Sequence, residues 1–193
     1  MKLIFDIETC GLPIFEKQKK REFPKPENLD AYNSARIVSI AWILVNENYE
    51  IIQQEYYIIK PDNFIIPEHV VKIHGISTQY AHEFGIPINN MFNRIGEALE
   101  RVDSILSYNI EFDYNILKSE LFRYNQNNII EKLDKKIKKC IMLLSQQYMQ
   151  MTTYPKLCDA FKYMFNENMN NAHNAMEDTI NCYKVLRKIN YSF

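Results

Sequence analysis

The chain has 193 residues, 47% hydrophobic and 24% charged, a balance that excludes a disordered or fibrous protein and predicts one globular domain over 1–193. Its formal net charge of −1 excludes a protein that grips nucleic acid through a global positive field, so any such contact has to be local. No run approaches the ~20 apolar residues of a membrane helix, and the acids in MKLIFDIETCGLP interrupt the apolar core of a signal peptide, so the expected location is intracellular, not secreted and without membrane contact, in cytoplasm or nucleus.

The segments 2–7 (KLIFDI), 37–45 (IVSIAWILV) and 51–59 (IIQQEYYII) are rich in β-branched and aromatic residues between turn formers, and read as three successive strands. Residues 13–36 between the first two are polar, contain three prolines and carry Lys17, Lys19, Lys20, Arg21 and Lys25. So long a connection is expected to be an insertion loop, solvated or able to follow a nucleic-acid backbone by charge neutralisation, with the solvated reading favoured. From Pro67 to Arg101 the chain is predicted helical in two or three pieces, with Met91, Ile95, Ala98 and Val102 at helical spacing.

A short strand at 104–109 (SILSYN) leads into a helix from about Phe112 to Tyr124. The basic run Lys132 to Lys139 reads as a solvated helix face, followed by the short segment CIMLLS, and helices near 156–165 and 174–189 finish the chain. Strands joined through helices pair in parallel, so the pattern predicts an α/β sandwich with a mixed sheet. Cys10, Cys140, Cys158 and Cys182 are scattered without a CxxC pair, which argues against a zinc site or a disulfide framework and for reduced, mostly buried thiols.

In the first strand Leu3, Phe5 and Ile7 should point to one face, and Ile4, Asp6 and Glu8 to the other. Two acids then emerge at the strand's C-terminal end, where α/β sheets bind ligands. Asp113, after the next strand, should reach the same edge. His173 lies just before the last helix and Asp178 inside it, five residues and ~500° of helical rotation apart, so they suit a loop-borne base beside a helix-borne ligand. Singly, these residues also read as a solvated strand end, a helix cap and a structural histidine. Together they suit Mg²⁺ held by carboxylates and substrate phosphates, with histidine as general base.

The segments FDIETCGLP, YNIEFDYNIL and HNAMEDT, in that order, resemble the three motifs of the DnaQ-like DEDDh 3′–5′ exonuclease family, and HGIS (74–77) resembles an element between its first two. The resemblance implies an RNase H-like fold with a mixed five-stranded β-sheet flanked by α-helices. It implies hydrolysis at 3′ ends, releasing nucleoside 5′-monophosphates. Asp6, Glu8, Asp113 and Asp178 would hold two Mg²⁺ or Mn²⁺ ions, and His173 would be the general base. Thr9 and His74 become substrate-contact candidates, with Asn109 and Phe112 beside the second motif, although turn satisfaction and core packing explain the latter pair equally well. The expected substrate is DNA with single-stranded or frayed ends, and the partner a polymerase or another replication or repair protein. The alternatives are an RNA-trimming exoribonuclease of the same family or, less favoured, an inactive polymerase-associated binding subunit. Cys10 departs from a frequent threonine, and Tyr108 from a frequent histidine.

Overall fold

The structure is a computed structural model that describes residues 1–15, 22–169 and 173–190. Five strands, β1 (Lys2–Thr9), β2 (Ile37–Val45), β3 (Ile51–Ile58), β4 (Ser104–Ser107) and β5 (Ile137–Cys140), form one sheet in the order β3-β2-β1-β4-β5. β1, β2 and β3 make an antiparallel meander, whereas β4 pairs parallel with β1 and β5 parallel with β4. The sheet is therefore mixed, with the parallel strands reached through helices.

Between β3 and β4 lie α1 (Glu68–His74), α2 (Thr78–Phe84) and α3 (Ile88–Glu100). α4 (Ile110–Arg123) and α5 (Asn127–Asp134) connect β4 to β5, and α6 (Ile141–Tyr148), α7 (Leu157–Phe165) and α8 (Ala175–Asn190) follow. Strand alternation decides what packs where. Leu3, Phe5 and Ile7 join Met91, Phe92 and Ile95 of α3 and Ile116, Leu117 and Leu121 of α4 in one core. Ile4 faces the other way, with Ala160 and Phe161 of α7 and Cys182, Val185 and Leu186 of α8. β2 is buried along its whole length, which is why IVSIAWILV reads as a continuous apolar run rather than an alternating one.

Three expectations change. The basic run is not one helix face: α5 ends at Asp134 and residues 137–140 are the edge strand β5. Its lysines hide the strand pattern and suit an exposed sheet edge. Much of their charge is used inside the fold, since Lys132 pairs with Glu100 at 2.6 Å, Lys136 donates to the Val102 carbonyl at 2.8 Å, and Lys138 lies 4.1 Å from the Tyr114 ring centre. The 13–36 connection is not simply solvated, because a 3-10 turn at Leu29–Tyr32 buries Ala31 and Tyr32, and Ala35 is also in the core. Ile14 N–H bonds to the Ala31 carbonyl at 2.8 Å, and Tyr32 Oη donates to the Pro24 carbonyl at 2.6 Å. Lys17, Lys19, Lys20 and Arg21 lie outside the described residues. The four thiols are unpaired; Cys10 and Cys182 are buried, Cys140 half-buried, but Cys158 is exposed. Among the described residues no helix is long and apolar enough to cross a membrane.

Candidate active site

β4 ends at Ser107 and pairs with β1 only as far as Ile4, so the Ile7 N–H has no strand partner on that side. Asp113, in the first turn of α4, supplies one: its Oδ1 accepts from Ile7 N at 3.1 Å and its Oδ2 from Ser107 Oγ at 2.6 Å. Asn109 rather than Asp113 occupies the cap position of α4, so the cap reading of Asp113 does not hold. The carboxylate is buried, and each oxygen keeps a lone pair that could meet a cation.

Asp6 and Glu8 stand opposite Ala41 and Ser39 of β2, and a bulge between Glu8 and Thr9 ends the regular register. Such bulges re-aim the strand where pairing stops. His173 sits in a turn with a left-handed φ of 70°, and its backbone N–H donates to Asp178 Oδ2 at 3.0 Å. Asn174 Oδ1 accepts from the Met176 and Glu177 amides, capping the helix that carries Asp178. Donor atoms of Glu8, His173 and Asp178 all lie within 4.8 Å of one another.

The acids disturb each other. Burial, then the charges of Asp113, Glu8 and Asp178, holds the Asp6 carboxyl well above the usual range. Burial, Asp178 and Asp113 push Glu8 up to about 7. Burial also raises Asp113, against the hydrogen bonds of Ser107 and Ile7, and raises Asp178, against the amide and charge of His173. Mutual repulsion of this kind is what a bound cation offsets. Asp178 Oδ1 adds a second sign, being buried without a hydrogen-bond donor among the described residues. Oxygen donors of this density fit a hard divalent ion.

The other candidates are placed unevenly. Thr9 Oγ donates to the Gly11 carbonyl at 2.7 Å, so its lone pairs rather than its proton are open to a ligand. Gly11 has no substitute there, since a Cβ would stand 2.6 Å from the Ser34 carbonyl oxygen. The buried His74 accepts from Ile76 N at 3.1 Å through Nδ1, across Gly75, whose φ of 78° is left-handed. Burial holds its imidazole below the ordinary range, opposed by the Thr9 backbone and reinforced by the charge of His173, which places it beside both. Asn109 lines a neighbouring cleft, and Phe112 packs against the core with its ring 6.3 Å from that of Phe23.

A family model described as Exonuclease, RNase_T, matches residues 3–186. The chain belongs to the RNase_T exonuclease family. Solved structures agree with this exonuclease fold. E. coli Exonuclease I in complex with a dT13 oligonucleotide is 20% identical with a TM-score of 0.70, covering 97% of this chain and 40% of that one. The Exonuclease I of Methylocaldum szegediense is 20% identical with a TM-score of 0.71, over 98% and 40%. The nuclease domain of 3'hExo, a DEDDh family member, bound to rAMP, is 14% identical with a TM-score of 0.68, over 99% and 92%. The chain thus spans about 40% of the length of the Exonuclease I structures. No curated protein matches it.

Sequence reasoning missed three parts of this candidate site. Ser107 orients Asp113 and Asn174 caps the helix that carries Asp178, and the placement of Asn174 directly before a helix was a readable signal. The buried Arg36–Glu120 pair fixes the chain behind the first motif, where Cys10 N bonds to the Arg36 carbonyl at 3.0 Å. Its partners are 84 residues apart, and nothing local announces them.

Proposed function

We propose that the chain is a metal-dependent 3′–5′ exonuclease that hydrolyses the terminal phosphodiester bond of DNA with single-stranded or frayed ends, releasing nucleoside 5′-monophosphates. The observation that carries this reading is the meeting of Glu8, Asp178 and His173 within 4.8 Å, beside Asp6 and Asp113, whose charges reach the same point. Two Mg²⁺ or Mn²⁺ ions held by Asp6, Glu8, Asp113 and Asp178 would supply Lewis-acid charge to the attacking and leaving oxygens.

The chain's own residues do the rest. Ser107 and the Ile7 amide orient Asp113, and the His173 amide orients Asp178. His173, the exposed member of the cluster, takes the proton of the attacking water as general base. His74 and Thr9 close the side nearest the end of β1 and would meet the terminal nucleotide.

DNA is favoured by likeness to Exonuclease I structures that hold DNA oligonucleotides. RNA is the second reading, supported by the 3'hExo domain bound to rAMP, of which this chain covers 92%. Product analysis tests the chemistry. Divalent ions and a uniformly labelled oligonucleotide should yield nucleoside 5′-monophosphates, and 3′-monophosphates or long internal fragments would rule the reading out.

A further inference from the structure

A cleft of about 1200 Å³ opens beside the N-terminus of α4. Its volume exceeds the ~300–1,000 Å³ of ordinary small-molecule sites, so it suits an extended ligand. Phe15 and Phe23, from the 13–36 connection, line one part of it, with ring centres 5.3 Å apart and edge to face. Tyr154, 62% exposed, lines another, with Asn109 and Gln146 also in the lining.

Two relations tie this cleft to the acids. Asn109 lines it and lies four residues before Asp113, roughly one helical turn or ~5.4 Å away. Phe23 meets the ring of Phe112, the residue next to Asp113. The lining chemistry then selects the ligand. Among the described residues its charged lining is Lys25, Glu22 and Glu111. Aromatic faces with amide groups that both donate and accept are suited to unstacked bases.

We propose that Phe23 and Tyr154 form a base-stacking clamp for the unpaired nucleotides immediately upstream of the 3′ end. The proposal rests on the exonuclease reading for the direction of the strand. It gives the 13–36 connection a role through its aromatic residues. It also makes single strands the preferred substrate, because paired bases offer no free faces.

The test uses the full chain with Tyr154→Ala and Phe23→Ala, and Phe23→Tyr as the conservative control. Substrates are a dinucleotide, a single-stranded DNA of roughly ten nucleotides, and the same oligomer with abasic sites just upstream of its terminal residue. Each alanine should raise KM for the intact oligomer about 5- to 150-fold, the range that stacking of one base implies. It should leave kcat and the dinucleotide KM unchanged, and Phe23→Tyr should behave as wild type. Abasic sites should raise the wild-type KM similarly and add little in Tyr154→Ala. An unchanged oligomer KM in Tyr154→Ala, or an equal loss on the dinucleotide, would overturn the clamp. Fluorescence anisotropy of the same oligomers in Ca²⁺ separates the two readings. Binding that depends on the aromatics and bases, from a protein that hydrolyses nothing in Mg²⁺ or Mn²⁺, supports the clamp and removes the exonuclease reading. Hydrolysis indifferent to both supports the exonuclease and removes the clamp.

Discussion

The His173 backbone amide donates to the Asp178 carboxylate at 3.0 Å, so the candidate base and a candidate metal ligand are fixed to each other by the main chain, not by the imidazole. Removing the His173 side chain therefore leaves the Asp178 carboxylate oriented, and the two functions can be separated by substitution.

His173→Ala is expected to cut turnover by ~10²–10⁴ while metal-dependent substrate binding persists. Asp178→Asn keeps an oxygen for the His173 amide but loses the charge, and is expected to abolish turnover with every divalent ion. Single-turnover rates and oligonucleotide binding, measured on both variants, check this pair. Full activity of His173→Ala would remove it from the role of base.

Metal-free stability should fall as pH rises. Burial and mutual repulsion raise Asp6, Glu8, Asp113 and Asp178 above their ordinary values, Glu8 from 4.5 to about 7. A group raised in the folded state stabilises the fold fully below its unfolded pKa and loses that contribution as pH climbs through its folded pKa. In chelator, the unfolding temperature is thus expected to drop from about pH 4 to about pH 8, and Mn²⁺ to raise it more at the upper end. Thermal melts with and without metal across that range check it, and a metal effect independent of pH would contradict it.

The buried Arg36 and Glu120 side chains, 8% and 1% exposed, are linked through Nε and through Nη2 at 3.2 Å to Oε2. Breaking such a pair leaves a buried charge without its main partner, Glu120 keeping Arg123 Nε at 3.9 Å. Arg36→Ala or Glu120→Ala is expected to cost ~3–5 kcal/mol, and the double change Arg36→Met with Glu120→Leu far less than the sum. Urea unfolding midpoints decide it, with additive losses as the contrary result.

Ser107→Ala removes the 2.6 Å bond to Asp113 but keeps the one from Ile7 N. Loss of a group that orients a metal ligand commonly weakens metal binding ~10–100-fold. The half-saturating Mg²⁺ concentration should rise by about that factor, with Ser107→Thr partly restoring it. An unchanged metal requirement would show that Ile7 alone orients Asp113.

The parts legible in the sequence were those with local signals. Alternation placed Asp6 and Glu8 opposite Leu3, Phe5 and Ile7, and the position of His173 just before the last helix was readable, although its left-handed turn lies outside that helix and brings it within 4.8 Å of Asp178. β5 was illegible because Lys138 and Lys139 mask a four-residue edge strand whose evidence is its pairing with β4. The buried half of the 13–36 connection was illegible for a similar reason: Ala31, Tyr32 and Ala35 are isolated apolar residues in a polar stretch, and their burial depends on contacts far along the chain. The convergence of Phe23, Asn109 and Tyr154 on one cleft is tertiary throughout.

The central claim is tested most directly by incubating the protein with 5′-labelled single-stranded DNA and RNA of the same sequence, in Mg²⁺, in Mn²⁺ and in chelator, and resolving products at single-nucleotide length beside Asp178→Ala. The expected result is a metal-dependent ladder that shortens from the 3′ end, faster on DNA and missing in the variant. Intact strands in every metal, or shortening that Asp178→Ala retains, would contradict it.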